Sequence, residues 1–374
     1  MSYRAYAEID LSAIAHNVKT IVSTTDADVL AVVKADAYGH GIVPVAQTAL
    51  SSGATWLGVA LLEEAFTIRK AGISAPIIAW LTPPGDDFIS ALKHDIDLSV
   101  SSIRLFHEIL EAARQVGVKP RLHIEVDTGM RRGGFLDEWK EFLQVLTKHK
   151  DEVRILGLWT HFARADEPDS SATSDQITEF EIYLSDINSS GINPEIIHLS
   201  NSAATLKCPG AHRSMVRLGI AMYGLSPDVS TLGSASQYSL KPAMTLKAKL
   251  SLVKKAPKGS AVGYGGTAIL KSDTYLGVVV LGYSDGIPRR TSDAAGVSIE
   301  GVRAPLVGRV SMDQFVVDLG PQSSAQAGDY VTVFGADCYS IDEWANAAST
   351  INYKLWPKHY LKLKLQRLSL KTTV

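Results

Sequence analysis

The feature that most limits how this chain can fold is a rhythm through its first 235 residues. Short apolar, β-branched runs alternate with amphipathic stretches. The runs fall at 29–33, 56–59, 77–81, 97–100, 121–126, 154–159, 195–199 and 215–217. Between most of them, at 62–71, 88–94, 103–116, 137–148 and 174–189, apolar residues recur three and four apart, the spacing of one helix face. Parallel strands need crossovers of this kind. About eight such units is the number found in a closed (β/α)8 barrel. An open doubly wound sheet is the alternative. A further helix precedes the first unit, with Asp10 at its N-cap and Leu11, Ile14, Val18, Ile21 and Val22 on one face.

The texture changes near Leu240. Short β-rich runs at 244–253, 276–281, 297–299, 315–319 and 330–334 follow, separated by turns rich in Gly, Asp and Pro. The expected fold is therefore α/β: a (β/α)8 TIM-type barrel over residues 1–235, then a mostly-β C-terminal domain over 236–374. Residues 231–236 read as a linker or surface loop. The strand candidate at 3–9 precedes the first helix, and residues 1–10 are candidates for pairing with the second domain, which would tie the two together. At 46% hydrophobic and 20% charged, the chain is too apolar for disorder. A formal net charge of −2 gives no pull towards nucleic acid or an anionic membrane. No apolar stretch is long enough to span a bilayer, and the first residues lack the apolar core of a secretory signal. Cys208 and Cys338 stand alone, without a CxxC partner. They read as buried thiols in a reducing, cytoplasmic setting, and no metal-ligand spacing is present.

The candidate chemistry lies at the ends of the runs. Lys34 closes the first one, in Val33-Lys34-Ala35-Asp36-Ala37-Tyr38-Gly39. In a parallel barrel that end carries the reaction, and a lysine there suggests an amine that condenses with a carbonyl cofactor. The bland reading is a solvated lysine followed by turn residues. Glu125-Val126-Asp127-Thr128-Gly129 leads into a glycine-flanked loop with Arg131 and Arg132, suited to planar recognition of an anion or phenolate, or to a plain salt-bridged loop. His161 ends another run, where a core histidine is the commoner role. His198-Leu199-Ser200-Asn201-Ser202 and Arg217-Leu218-Gly219-Ile220 follow the last two. Ser202 and the amides of Gly219 and Ile220 could hold a phosphate there, or simply cap and turn the chain. Tyr264 sits on the glycine loop 263–266, and Arg309 to Asp313 form another polar segment.

Taken in order, these motifs resemble alanine racemase, a family of pyridoxal-phosphate enzymes that interconvert L- and D-alanine. The resemblance runs from Ala7-Glu8-Ile9-Asp10-Leu11 to Ile351-Asn352-Tyr353. It implies that Lys34 carries pyridoxal 5'-phosphate and is one proton carrier. Tyr264 would be the second, supplied by the partner subunit of a head-to-tail homodimer, so that the two flank opposite faces of the substrate's Cα. It implies that His161 and Arg217 connect Tyr264 to the cofactor's ring nitrogen. Tyr38, Asn201, Ser202, Gly219, Ile220 and Tyr353 would bind the cofactor. Arg132, Met312 and Asp313 would surround its phenolate and the substrate carboxylate, and Asp166, Tyr283 and Arg309 would line the access corridor. In this family the position of Glu125 is commonly a lysine, often carbamylated. Glu125 would supply that negative charge directly and pair with Arg132. Residues 363–368 stand where relatives often carry a Pro-Arg segment. Competing readings are a single-barrel cofactor carrier, which the second domain and Tyr264 argue against, a decarboxylase of similar architecture, which lacks the motifs after Gly263, and a racemase of broader substrate range.

Overall fold

The computed structural model describes residues 3–167, 169–335, 338–355 and 366–367. Of the segment 363–368 only Gln366 and Arg367 fall among these. The chain forms two compact units, one of residues 13–37 and 41–241, the other of 1–12, 38–40 and 242–374.

The first unit is built on eight parallel strands that follow a first strand, β1 (Ala5–Ile9), in chain order. They are β2 (Asp28–Val32), β3 (Trp56–Val59), β4 (Ile77–Ala79), β5 (Asp97–Val100), β6 (Arg121–Glu125), β7 (Arg154–Trp159), β8 (Ile196–His198) and β9 (Met215–Leu218). β2 to β8 pair with their neighbours in sequence, and β9 pairs with β2. Ser214 N donates to Ile197 O and Arg217 N to Ser200 O, both at 3.0 Å, which joins β9 to the chain around β8 and closes the sheet. The barrel is thus closed, and the open-sheet alternative falls. Strands buried on both faces are apolar without alternation, as in β2, where residues 29–32 are all buried.

The helices form as their sequences direct. Ile103–Val116 starts at Ser102, whose side chain accepts from Leu105 N, and it buries Leu105, Phe106, Ile109, Leu110, Ala112 and Ala113. Phe106 meets Phe142 edge-on at 5.5 Å, and Phe142 stacks on Phe135 at 4.0 Å. Burying each such ring contributes roughly 1.5–3 kcal/mol. The helix Ile42–Ser51 escapes a periodicity reading because Pro44 interrupts it. That proline lies in the first turn, where its missing N–H has no intrahelical acceptor to lose. Residues 231–236 are not a plain linker: they span the end of a short helix, Val229–Leu232, capped by Asp228, and the start of a 3-10 turn, Ala235–Tyr238. Neither Cys208 nor Cys338 is in a disulfide, but each is half-buried rather than buried. Cys208 falls where the helix Ser202–Lys207 ends, a position the core does not enclose.

In the second unit, β1 (Ala5–Ile9) pairs antiparallel with β10 (Met244–Ala256). β10 also pairs with β13 (Thr274–Val279) and β17 (Tyr330–Phe334). β14 (Gly296–Ile299), β15 (Val302–Pro305) and β16 (Phe315–Gly320) complete the antiparallel set, and β18 (Gln366–Arg367) runs parallel to β1. A separate hairpin, β11 (Ala261–Val262) and β12 (Ala268–Ile269), is rooted in an apolar cluster of Ala256, Val262, Leu270 and Leu276. Among the described residues, no helix is long and apolar enough to cross a membrane.

Candidate active site

Lys34 lies one residue beyond β2, after Val33, and opens a single helical turn, Lys34–Gly39. The turn is left-handed: Ala35, Asp36, Ala37 and Tyr38 all have φ of 53–54°. Each non-glycine residue held there costs about 1–2 kcal/mol, so the surroundings must enforce it. Glu64 does part of this. Its carboxylate accepts from the amides of Ala35, Ala60 (2.9 Å) and Leu61 (3.1 Å). Asp36 accepts from Ile42 N at 2.8 Å where the chain leaves the turn. No sequence signal announces this conformation, since alanine is the best right-handed helix former. Burial lowers the pKa of the Lys34 amine, the positive charge of Arg132 lowers it further, and Glu64 opposes both.

Arg217, on β9, is only 4% exposed. One terminal nitrogen donates to His198 O (2.8 Å) and His198 Nδ1 (3.3 Å). The other faces Thr160 O (2.9 Å), Leu199 O (3.0 Å) and His161 Nδ1 (3.2 Å). Its Nε–H has no acceptor among the described residues. Burial pulls the guanidinium down to about 9, with Glu125 opposing, which leaves it charged at neutral pH. The guanidinium lies over Trp159, 4.9 Å from the ring centre. Burial first, then the charges of Arg217, Arg132 and Lys34, hold the His161 imidazole well below its ordinary range. His161 is therefore neutral, and because Nδ1 accepts from Arg217, its proton sits on Nε2. Gln176 fixes this loop: it donates to His161 O (3.1 Å) and Thr128 Oγ1 (3.0 Å) and accepts from Ala163 N (2.9 Å). Asp166 is half-buried in the same loop.

Gly219 N donates to Ser202 Oγ at 2.9 Å, so that amide is already engaged. The buried Ile220 amide, at the start of the 3-10 turn Ile220–Tyr223, has no acceptor among the described residues. Asn201 caps the helix Ser202–Lys207 by accepting from Ala204 N (3.1 Å). On β6, burial pushes the Glu125 carboxyl up to about 7 despite the opposing charges of Arg217 and Arg132. The expected direct pair is not formed: among the described residues no ion pair within 4.0 Å joins Glu125 to Arg132. Arg132 is exposed, in the loop beyond the strand, and acts on Glu125 only at longer range.

In the second unit, Tyr264 tops the β11–β12 hairpin and is 69% exposed. A Cβ added at Gly308 (φ +78) would lie 2.7 Å from Val262 O, so glycine alone lets the Arg309 loop pass beneath that hairpin. Tyr283 N and Ser284 N donate to Ser311 O (3.0 Å) and Met312 O (2.9 Å), and Ser284 Oγ donates to Asp313 (3.1 Å). Tyr283, Met312 and Asp313 thus share one loop cluster. Tyr38 and Tyr353 place their rings 6.3 Å apart, and burial raises the Tyr38 phenol. Sequence reading missed Glu64, Gln176 and Trp159. They lie in ordinary helix and strand patterns, and only tertiary contact gives them a place at the site.

Two family models match the chain: alanine racemase N-terminal domain over residues 9–227 and alanine racemase C-terminal domain over 243–362. The chain is 43% identical over 359 residues to alanine racemase of Salinispora tropica, covering 94% of this chain and 95% of that one. It is 44% identical over 362 residues to that of Beutenbergia cavernae, covering 95% of each. Among solved structures it is similar to alanine racemase from D-cycloserine-producing Streptomyces lavendulae, with TM-score 0.93, 40% identity and coverage of 97% and 96% of the two chains. A Bacillus anthracis alanine racemase, solved with bound L-Ala-P, gives TM-score 0.83 at 38% identity, covering 95% and 92%.

Proposed function

The chain belongs to the alanine racemase family, and on that premise we propose that it interconverts L- and D-alanine with pyridoxal 5'-phosphate, using Lys34 and the partner subunit's Tyr264 as its two proton carriers. The observation that carries this reading is Arg217. Its terminal nitrogens are committed to three main-chain carbonyls and two histidines, while Nε–H is left without an acceptor. A charged donor fixed in this way fits a ring nitrogen that must accept a hydrogen bond without taking the proton. The unmatched Ile220 amide and the Ser202 hydroxyl fit a phosphate, and the Lys34 amine fits a carbonyl carbon. When bound, the cofactor supplies the conjugated ring into which charge developing at the substrate's Cα can spread.

The chain's own residues do the rest. The environment of Lys34 keeps its amine nearer to neutral, so that it can take up a proton near working pH. His161, neutral and protonated on Nε2, can donate to the oxygen of a tyrosine from outside its own unit, which favours the phenolate of Tyr264. Arg132, Met312 and Asp313 surround the substrate carboxylate, Asp166, Tyr283 and Arg309 line its access corridor, and Tyr38, Asn201 and Tyr353 help to hold the cofactor. Glu125 acts on Arg217 and Arg132 through its charge alone, without pairing with Arg132, and that charge is complete only above about pH 7. The test combines an absorbance spectrum of the purified protein with pyridoxal phosphate and a circular-dichroism panel of alanine, serine and other amino acids. Cofactor absorbance with alanine racemised fastest is the expected result. Absent absorbance, or no racemisation of any amino acid, would sink the proposal.

A further inference from the structure

Below Arg217 the barrel interior is not apolar. Four strands contribute buried polar groups: Asp97 on β5, His123 on β6, His198 on β8 and Arg217 on β9, the first three with no exposed surface. Gly157 on β7 makes the space, since a Cβ there would stand 2.1 Å from His123 Nδ1. His198 Nδ1 faces Arg217 at 3.3 Å, and His198 Nε2 faces His123 Nδ1 at 3.0 Å. His123 Nε2 faces Asp97 Oδ2 at 3.7 Å. That distance is too long for a hydrogen bond, and neither atom has another partner among the described residues. The other Asp97 oxygen is held by Arg121, which also pairs with the exposed Asp95. Trp159 stacks on His198 at 5.6 Å and 10°, and donates to Ser99 at 3.0 Å.

Only one arrangement of protons satisfies this row. A guanidinium can only donate, so His198 Nδ1 must be bare. The proton of neutral His198 is then on Nε2 and points at His123, whose Nδ1 must accept it. The proton of His123 is therefore on Nε2, directed at the Asp97 carboxylate. Burial and the charge of Arg217 hold His198 well below its ordinary pKa, in agreement with a neutral ring.

We propose that Asp97, His123 and His198 are positioning residues: the buried Asp97 carboxylate draws the His123 proton to the nitrogen that faces it, His123 then accepts from His198, and this one-directional row locks the His198 tautomer and so fixes Arg217 at the active site. The importance of Arg217 rests on the proposed function, but the arrangement of protons does not. Without Asp97, His123 could place its proton on Nδ1, His198 would turn over, and a donor would face Arg217. The row thus specifies an orientation rather than supplying stability, one recognised use of buried polar networks.

The test is two-bond proton–nitrogen NMR at pH 7 on the full-length protein with 15N-labelled histidine, His123 and His198 being assigned by substitution. Both rings are expected neutral with the proton on Nε2, with or without added pyridoxal phosphate. A proton on Nδ1 of either ring, or a charged ring, overturns the proposal. In His123→Leu, His198 should become a mixture of tautomers and kcat should fall roughly tenfold with KM little changed. His123→Asn, whose amide oxygen can accept where Nδ1 did, should restore both. An unchanged His198 tautomer and a wild-type kcat in His123→Leu would refute it. If the leucine variant fails to fold, the wild-type tautomers and the asparagine variant decide. A protein with the expected tautomers that racemises nothing would support the donor chain and remove the functional reading instead.

Discussion

Lys34 is half-buried with its amine shifted towards neutrality, whereas Tyr264 is 69% exposed in its own chain. Under the two-carrier reading, Tyr264→Phe keeps cofactor absorbance but slows racemisation by at least roughly a hundredfold. One enantiomer should still exchange its α-proton with deuterated solvent, because Lys34 continues to serve that face. Proton NMR in D2O measures both, and loss of exchange for both enantiomers would count against Lys34 acting alone on one side. Glu125 gives a prediction with a definite sign. Its folded-state carboxyl is raised from 4.5 to about 7, so the folded chain binds that proton more tightly than the unfolded one. Stability therefore falls as pH rises through that window and levels off above it, a loss of roughly 3 kcal/mol. Urea unfolding should show Glu125→Gln gaining on the wild type between pH 4.5 and 7. A constant difference would show that Glu125 is not shifted. The sequence singles out Lys34, Tyr264 and Arg217 because each sits in a distinctive motif. The perturbed state of Glu125 was not legible there, because burial is a property of everything folded around it.

The strands and most helices were legible because their signals are local: β-branched runs, apolar spacing and the Ser102 cap. The left-handed turn after Lys34 is the opposite case. Its Lys-Ala-Asp-Ala-Tyr sequence favours a right-handed helix, and contacts from Glu64 override that preference. Two substitutions separate strain from packing. Ala35 is exposed at φ 53°, so Ala35→Gly should relieve strain and raise stability by about 0.5–1 kcal/mol, less the entropy that glycine adds to the unfolded chain. Ala37 is fully buried at the same φ, so Ala37→Val should cost about 1–3 kcal/mol from overpacking plus the strain of a β-branched residue. Thermal unfolding of both checks this. If both variants lose stability equally, the turn is not strained. Pro44 and the capped segment 228–238 show the same limit in milder form, since a proline or a serine-rich stretch marks a boundary without saying what lies beyond it.

For the whole molecule, the proposed sharing of Tyr264 between subunits has a numerical consequence. Lys34→Ala and Tyr264→Phe chains, each inactive alone, should on co-expression form heterodimers with one intact site. Random pairing then gives about a quarter of wild-type activity. No recovery, with mixed dimers shown to be present, would mean that both groups act within one chain. The sequence by itself determined the parallel barrel, the β-rich second part and the order of the chemical residues. These depend on periodicity and residue type, which local chain geometry reads directly. Only the tertiary structure decided how those residues act: the left-handed backbone at Lys34, the missing contact between Glu125 and Arg132, and the direction in which protons run from Arg217 to Asp97. Each depends on groups brought together from distant strands in a medium that excludes water, where burial and an unmatched donor or acceptor outweigh anything a local pattern encodes.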